Sequence, residues 1–448
     1  MGLKLKSLLF FSALAVSALS FAGPMQDIKT RQELEQYLTE SEFSGVIGVS
    51  QNSKLIYKKA FGLRNLNSTA PILVSDKFQI GSVTKQFVSV ALLKLQQEKK
   101  LSLSDKLSKY FPNYPRAEEV QLTDILQHVA GVKNYTDQSN FWDLVAKGQT
   151  LTLDEIINFS TQFPYDFDPK TKWKYSNTGY ILAGRIIELV SGQSWDEYIT
   201  EHLLKPLQLN NIGYVADFKR VSEVTGYLDN KGSLVPGPDF NLSWALSAGA
   251  LYSDIDDLLK WTQVYSDSDI LTAASKAQLL ATNMQNYALG LTVTTYSGDV
   301  RISHSGRTPG FSTTLSYLKN SKLAVAKLDN NDGSRVDAEP VVLRFFSAGK
   351  AQALKLKLFP IARTELNQYV GLYKSATMNF NVFIKNESLF LQPDDGQPAY
   401  QLYPNDKDSF RIMNLAGEEF LRNSEGKIVG LRHYQGGGAS DFTKAASN

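Results

Sequence analysis

The sequence contains no cysteine among its 448 residues. This absence excludes disulfide bonds, thiolate metal ligands and a cysteine nucleophile at once. A chain without disulfides has to be held together by its hydrophobic core, and this one is long enough to bury a large core. We therefore predict one large domain followed by a smaller one.

Motifs that mark several enzyme classes are missing as well. The chain has no Gly-x-Ser-x-Gly segment, which disfavours an α/β-hydrolase. It has neither the Gly-x-x-x-x-Gly-Lys-Ser/Thr loop nor the Gly-x-Gly-x-x-Gly loop, both of which bind nucleotide phosphates, so no cofactor is predicted. Its four histidines are scattered, without the close spacing that metal ligands show, and no metal site is predicted.

The N-terminal residues have the pattern of a secretory signal peptide. Lys4 and Lys6 precede an apolar run over residues 8–19, and the small residue Ala22 marks the expected cleavage site. The run is too short to span a membrane, and no later segment is continuously apolar over a greater length. We predict a signal peptide over residues 1–22 and a periplasmic or secreted mature protein.

The charge balance does not point to a polyanionic partner. The chain carries 47 basic and 45 acidic side chains, and removal of residues 1–22 takes away two lysines, which leaves 45 of each. A nearly neutral protein is not drawn to nucleic acid or to an anionic membrane by its overall charge. The expected partner is a small molecule or a peptide, and the oligomeric state is left open.

Apolar periodicity divides the remaining chain. Residues 45–62 and 288–329 read as strands, with helical periods between them, most strongly over residues 180–190. Beyond residue 365, short apolar segments alternate with turn residues, as in a small antiparallel β domain. We predict an α+β domain over residues 23–350, a linker over residues 351–364 and a β-rich domain over residues 365–448.

The segment Ser82-Val-Thr-Lys85 is the first candidate for chemistry. It opens a predicted helix, in which positions three apart lie one turn from each other, so the Lys85 amine would reach the Ser82 hydroxyl. The first turn of a helix also offers unpaired N–H groups that stabilise a negative charge. Taken alone, Ser82 is best explained as a helix N-cap. The same Ser-x-x-Lys spacing recurs at Ser316/Lys319, Ser347/Lys350 and Ser424/Lys427.

Two further clusters carry polar groups suited to catalysis. Tyr175-Ser-Asn177 comes just before the helical period. A tyrosine can relay protons if nearby cations lower its pKa, and an asparagine can hold a carbonyl group. His304-Ser-Gly306 follows a predicted strand, where the glycine permits close backbone approach and the histidine can donate a hydrogen bond beside the nucleophile. Taken singly, each cluster is better explained as a turn.

The order of the three clusters resembles that of the penicillin-recognising serine hydrolases, in the class C β-lactamase-like branch that includes D,D-peptidases and esterases. The resemblance spans roughly residues 30–335 and includes further familiar segments. These segments lie at residues 126–131, 173–180, 205–207 and 247–251. The resemblance implies an α+β fold, in which helices flank an antiparallel sheet and a helical subdomain carries Tyr175.

The resemblance also implies a covalent mechanism. Ser82 would attack a carbonyl carbon and form an acyl-enzyme, which water or another acceptor then resolves. Lys85 and Tyr175 would exchange the serine proton. The third cluster, His304-Ser-Gly306, corresponds to the third element of the family's active site, in which His304 would stand where class C β-lactamases have a lysine.

Substrate binding is implied for three more positions. Asn177 would orient the substrate. The backbone N–H groups of Ser82 and of Arg307, the residue after Gly306, would form the oxyanion hole. The side chain of Arg307 could also pair with a substrate carboxylate, a hypothesis that rests on its position beside the third element.

Three departures from the family pattern bear on the function. His304 replaces lysine, Lys170 replaces the glycine of Pro-Gly-Thr, and Ala130 replaces the serine of the His-x-Ser-Gly segment. These changes disfavour efficient β-lactam hydrolysis. We therefore predict a secreted serine hydrolase that acts on D-amino-acid peptides or on small esters and amides. The alternatives are a β-lactamase that hydrolyses β-lactam antibiotics and a non-catalytic sensor of peptidoglycan fragments.

Overall fold

The described residues form two compact units. The first unit takes in residues 44–331, and the second takes in residues 25–43 and 338–446. The predicted signal peptide at residues 1–22 lies outside the described residues, as do residues 355–360 of the predicted linker, and the predicted domain bounds stay a prediction. The computed structural model describes residues 25–214, 221–230, 233–238, 242–331, 338–354, 361–375, 378–385, 387–394, 399–412, 416–435 and 438–446.

The helices between residues 84 and 279 belong to the first unit. In chain order, the α-helices are α1 (Arg31–Glu40), α2 (Thr84–Gln97), α3 (Leu122–Leu126), α4 (Ser139–Ala146), α5 (Leu153–Ser160), α6 (Asn177–Ser191), α7 (Trp195–Ile199), α8 (Leu246–Gly249), α9 (Ile255–Trp261), α10 (Ala273–Leu279), α11 (Ala338–Ala348) and α12 (Arg363–Leu366). Short 3-10 turns lie at Gly81–Val83, Leu107–Lys109, Tyr135–Asp137, Leu242–Trp244, Thr262–Tyr265, Met284–Asn286 and Asn367–Tyr369, and a π-helical turn at Thr200–Leu204.

The strands fall into a main sheet, a barrel and small pairings. In chain order they are β1 (Met25–Ile28), β2 (Gly45–Gln51), β3 (Lys54–Phe61), β4 (Phe78–Gln79), β5 (Gly213–Tyr214), β6 (Tyr227–Asn230), β7 (Ser233–Pro236), β8 (Leu251–Ser253), β9 (Thr292–Tyr296), β10 (Asp299–Thr308), β11 (Phe311–Leu318), β12 (Leu323–Asp329), β13 (Ala351–Leu354), β14 (Gly371–Lys374), β15 (Asn379–Lys385), β16 (Ser388–Pro393), β17 (Tyr400–Asp406), β18 (Ser409–Ile412), β19 (Ala416–Arg422), β20 (Ile428–Gln435) and β21 (Gly438–Lys444).

The main sheet of the first unit has six strands in the order β3-β2-β12-β11-β10-β9. Each neighbouring pair is antiparallel. All residues of β11 and β12 are buried, so both faces of the sheet are covered at its centre. On one face α9 packs against β2, where Gly48 leaves room for the side chains of Ile255 and Leu259. The predicted α+β fold with an antiparallel sheet is confirmed.

The helix α2 lies at the centre of the helical part of the first unit. Its residues 84–93 and 95 are buried on all sides, as expected of a helix that is surrounded by other elements. It packs against α6, the helix predicted from the period at residues 180–190. Gly192 ends α6 in the left-handed conformation with φ 76°, a common helix terminator. Since α6 begins at Asn177, this packing brings the second cluster of the sequence beside the first.

The second unit contains the barrel, in which β14 to β21 each pair with the next strand. The barrel closes where β21 pairs with β14 through Tyr373 and Lys444. Its core is rich in aromatic side chains, among them Tyr369, Phe380 and Phe420. The predicted antiparallel β domain is confirmed, and its closure is a new finding. The same unit holds the antiparallel pair of β1 and β13.

Across the described ranges, no helix combines the length and the apolar character that crossing a membrane requires.

Candidate active site

The turn that carries Ser82 is the centre of the site. The chain passes from β4 through Gly81, with φ 52°, and a 3-10 turn leads into α2. Glycine adopts this left-handed conformation without steric cost. A Cβ at Gly81 would also lie 2.5 Å from the Arg307 nitrogen. Ser82 is half-buried whereas Val83 is buried, so the turn leaves the serine side chain within reach of a substrate.

Lys85 is buried and its amine reaches three oxygen atoms. Nζ lies 3.0 Å from Ser82 Oγ, 2.8 Å from Asn177 Oδ1 and 2.7 Å from the Ala248 carbonyl oxygen. The amide and carbonyl oxygens can only accept hydrogen bonds, so each takes a proton from Nζ. A neutral amine has two protons for these two acceptors, and its lone pair then faces the Ser82 hydroxyl.

The surroundings of Lys85 favour that neutral form. Burial lowers the pKa of Lys85 well below its usual value of 10.5, because the ammonium group loses its hydration. The three oxygen partners are uncharged and cannot replace that hydration with an ion pair. The amine is therefore suited to accept the proton of Ser82.

Tyr175 is the second group in contact with Ser82. Its side chain interacts with that of Ser82, and Lys85 Nζ lies 4.9 Å from the centre of its ring. Burial raises the pKa of Tyr175, and the interaction with Ser82 offsets only part of that rise. Tyr175 is therefore a neutral phenol near pH 7, which can donate a proton but is not itself a phenolate base.

The segment around Tyr175 is held in place by His128 and its neighbour. The N–H of Lys174 donates to the His128 carbonyl oxygen at 3.0 Å, and the N–H of Ser176 donates to His128 Nδ1 at 3.2 Å. Lys170 has φ 69°, and its N–H donates to the Val129 carbonyl oxygen at 2.7 Å. Lys170 thus keeps the left-handed conformation that the glycine of the family pattern would adopt freely.

Asn177 joins the second cluster to Lys85. Its Oδ1 accepts from Lys85, and its Nδ2 donates to Thr136 Oγ1 at 3.1 Å. Its backbone N–H donates to Asn134 Oδ1 at 3.0 Å. Because both polar atoms of the side chain have protein partners, Asn177 helps to direct the lone pair of Lys85 toward Ser82. Its predicted role in orienting a substrate stays a prediction.

His304 lies near the same group of side chains and is only 8% exposed. Its Nε2 is 2.9 Å from the Tyr287 hydroxyl, and its Nδ1 contacts the Ser305 carbonyl oxygen. Burial, assisted by any positive charge on Lys85, lowers the pKa of His304 to about 3. The imidazole is therefore uncharged near pH 7, unlike the lysine that the family pattern places there.

The strand β10 runs directly beside the serine turn. β9 pairs with β10 only from Asp299 to Ser303, and the following residues of β10 approach the turn. A Cβ at Gly306 would lie 1.8 Å from the Ile80 carbonyl oxygen and 2.9 Å from the Ser82 nitrogen. Glycine is needed there, because any side chain would collide with backbone. This close approach supports the prediction that the N–H groups of Ser82 and Arg307 share one oxygen atom.

Two groups at the site were not singled out by sequence reasoning. The Ala248 carbonyl oxygen lies in a segment noted only for its resemblance to the family, and a backbone carbonyl has no signature in residue type. Tyr287 had no distinguishing signal, since it is one of 21 tyrosines. Among the described residues, no three His, Asp or Glu side chains are grouped as metal ligands.

Comparisons with known proteins confirm the family resemblance predicted from the sequence. The family model described as Beta-lactamase matches residues 30–344. Penicillin-binding protein 4* of Bacillus subtilis (strain 168) is 25% identical over 431 residues, which cover 87% of this chain and 92% of that protein.

Solved structures share the fold. The octameric penicillin-binding protein homologue from Pyrococcus abyssi is similar with a TM-score of 0.66 and 24% identity, over 92% of this chain and 98% of that one. A D-stereospecific amidohydrolase from Streptomyces sp. is similar with a TM-score of 0.60 and 22% identity, over 68% of this chain and 95% of that one. At these identities the similarity shows a common fold.

Proposed function

The chain belongs to the Beta-lactamase family of serine hydrolases, and we propose that it is a secreted member that acylates Ser82 and acts on D-amino-acid peptides or on small esters and amides. The observation that carries the proposal is the buried Lys85 amine, 3.0 Å from Ser82 Oγ with its two other partners both acceptors. That arrangement is what activation of a serine by a neutral amine requires.

The first step is the attack of Ser82 on the acyl carbon of the substrate. As the bond from Oγ to carbon forms, the Oγ proton moves to the lone pair of Lys85. The carbonyl oxygen of the substrate becomes negative and is stabilised by the N–H groups of Ser82 and Arg307. These groups are held in place by the backbone, so little reorganisation is needed during the reaction.

The tetrahedral intermediate then loses its leaving group. The bond from carbon to the amine or alcohol breaks, and Tyr175, which is a neutral phenol beside Ser82, supplies a proton to the departing group. The proton held by Lys85 restores Tyr175. A water molecule then attacks the acyl-enzyme and gives its proton to Lys85, which returns it to Ser82 as the ester bond breaks.

The charge of the third element, which contains His304, bears on which substrates bind. His304 is uncharged near pH 7, so this position does not offer the fixed positive charge that a lysine would present to a carboxylate. A carboxylate on the substrate, whether on a D-amino-acid peptide or on a β-lactam, therefore has to pair with another group, whereas neutral esters and amides need no such partner. The Arg307 side chain is exposed on the same strand and is the candidate partner for a carboxylate group.

Two covalent probes test the proposal. Purified protein and its Ser82→Ala variant are incubated with a fluorescent penicillin and with a fluorophosphonate, and labelling is read on a denaturing gel. We expect fluorophosphonate to label the wild-type protein and not Ser82→Ala. Labelling by neither probe in a folded sample would refute the hydrolase proposal and favour a non-catalytic sensor, whereas hydrolysis of the penicillin would favour a β-lactamase.

The role of Arg307 can be separated from the chemistry. Arg307→Ala is assayed on two substrates that differ only in a free or an amidated carboxylate. If Arg307 pairs with that carboxylate, kcat/KM falls only for the free acid, by about tenfold for one charge-assisted hydrogen bond. Equal losses on the two substrates would rule out this pairing.

Secretion is proposed from residues 1–22. The pattern of two lysines, an apolar run and a small residue supports cleavage after Ala22. N-terminal sequencing of the protein recovered from the periplasm or the medium is expected to begin at Gly23. Recovery of uncleaved protein from the cytoplasm alone would contradict the proposal.

A further inference from the structure

Tyr287 is a buried residue that the proposed mechanism leaves unused. It is 1% exposed, and its hydroxyl lies 2.9 Å from His304 Nε2. The other ring nitrogen, Nδ1, contacts the carbonyl oxygen of Ser305. His304 therefore has a partner at each nitrogen, and both partners belong to the protein.

These two partners determine where the imidazole carries its proton. A carbonyl oxygen can only accept a hydrogen bond, so Nδ1 must be the donor toward Ser305. In an uncharged imidazole the lone pair is then on Nε2, and the Tyr287 hydroxyl donates to it. Burial disfavours the charged form, consistent with a pKa of His304 lowered to about 3.

The loop that carries Tyr287 is fixed to its surroundings at several points. Gly290 packs on the start of α2, where a Cβ would lie 2.6 Å from the Lys85 carbonyl oxygen. The N–H of Asn283 donates to the Tyr287 carbonyl oxygen at 2.9 Å. Asn283 Nδ2 in turn donates to Gln127 Oε1 at 3.2 Å. The Tyr287 hydroxyl is thus held at one position relative to the site.

We propose that Tyr287 is a positioning residue of the active site, which holds His304 as an uncharged imidazole with its proton on Nδ1. Free histidine in water prefers the opposite arrangement, with the proton on Nε2. Both ring nitrogens of His304 have hydrogen-bond partners in the protein, so His304 makes no hydrogen bond to the substrate. Its ring instead packs in a fixed position beside Tyr175, with the two ring centres 6.4 Å apart. The inference rests on the proposed function and deepens it, because it leaves proton transfer to Lys85 and Tyr175.

Nitrogen-15 NMR of protein labelled at histidine measures the proton position directly. The chain has four histidines, so the His304→Gln variant assigns the His304 signals by their disappearance. At pH 7 we expect a protonated Nδ1 and an unprotonated Nε2. A proton on Nε2, alone or together with one on Nδ1, would overturn the inference without any variant of Tyr287.

Tyr287→Phe removes the hydroxyl and keeps the ring. We expect the His304 proton to stay on Nδ1, because the Ser305 carbonyl still accepts it, and the signal of the unprotonated Nε2 to shift as that nitrogen loses its donor. We expect kcat/KM to fall by up to about tenfold, the limit set by the loss of one neutral hydrogen bond that positions His304. Tyr114→Phe is the matched control, because Tyr114 is also buried and its hydroxyl lies 3.0 Å from a side-chain oxygen, Ser160 Oγ. That variant is expected to leave both the His304 signals and kcat/KM unchanged.

The two readouts separate this inference from the proposed function. An unchanged His304 spectrum in a folded Tyr287→Phe protein would overturn the positioning role. Fluorophosphonate labelling of Ser82 reports on the proposed function alone. A wild-type protein that shows the expected His304 signals but takes no label would refute the proposed function and still support the assigned proton position.

Discussion

Gly306 is the position at which one added methyl group tests the oxyanion site most directly. In Gly306→Ala the new Cβ would lie 1.8 Å from the Ile80 carbonyl oxygen and 2.9 Å from the Ser82 nitrogen. These atoms belong to the backbone and cannot rotate away. A close carbon–oxygen contact is roughly 3.3 Å, so β10 has to move away from the serine turn by about 1.5 Å.

Such a movement separates the Arg307 N–H from the Ser82 N–H. Loss of one oxyanion donor lowers kcat by about 10²–10³-fold, which corresponds to about 3–4 kcal/mol in the activation free energy. We expect Gly306→Ala to lose at least that much kcat on an activated ester. Circular dichroism and thermal unfolding check that the variant is folded under the conditions of the assay.

Gly249→Ala is the matched control for this experiment. Gly249 lies beside the same turn in α8, but a Cβ there would be 3.5 Å from both Ala245 Cβ and the Gly81 carbonyl carbon, which are ordinary contacts. Alanine is more stable than glycine inside a helix by up to about 1 kcal/mol, so the unfolding free energy should stay equal or rise. A kcat of Gly306→Ala within about threefold of the control would refute the oxyanion assignment of Arg307.

Three further predictions concern charge and backbone strain. Burial holds the pKa of Lys85 below 10.5, so kcat/KM should rise with pH through that lowered value and level off below pH 10.5. The Lys85→Arg variant stays charged and should lose about 10²–10⁴-fold in acylation rate. An active Lys85→Arg enzyme would exclude the amine as the base. Lys170 has the left-handed φ of 69°. In urea unfolding, the free energy of unfolding of Lys170→Gly should lie within about 1 kcal/mol of the wild-type value, and that of Lys170→Val should be lower by about 1–2 kcal/mol. Equal stabilities of the two variants would argue against the left-handed backbone. The Asp166 carboxylate accepts from Lys133 at 2.6 Å and from Lys174 at 2.7 Å, and these bonds outweigh burial and lower its pKa. Its stabilisation is present above the unfolded pKa of about 4 and lost as pH falls through the lower folded value, so Asp166→Asn should cost about 1–3 kcal/mol at pH 7 and less below pH 3.

Local patterns in the sequence were sufficient for several elements. The period over residues 180–190 predicts α6, because one buried face repeats every 3.6 residues. The strand-like runs over residues 288–329 predict the four strands β9 to β12. Such patterns depend on neighbours in the chain, which is why they can be read without a structure.

Other features depend on contacts between distant residues. The barrel closes through Tyr373 and Lys444, and the apolar pattern of each strand would be the same in an open sheet. Ala248 acts through its carbonyl oxygen, a group that every residue has. Tyr287 lies in a loop without a periodic pattern, so only the packing of that loop places its hydroxyl beside His304.

The sequence by itself determined the types of the reactive groups and their order along the chain, but four Ser-x-x-Lys segments were equal by spacing alone. The tertiary structure distinguishes them. Ser316 is buried in β11 and accepts hydrogen bonds from Arg301. Beside Ser82, in contrast, the Lys85 amine donates to Asn177 and to the Ala248 carbonyl, which lie 92 and 163 positions further along the chain. A lysine in water remains charged. Only the folded chain removes that water from Lys85 and turns its lone pair toward the serine.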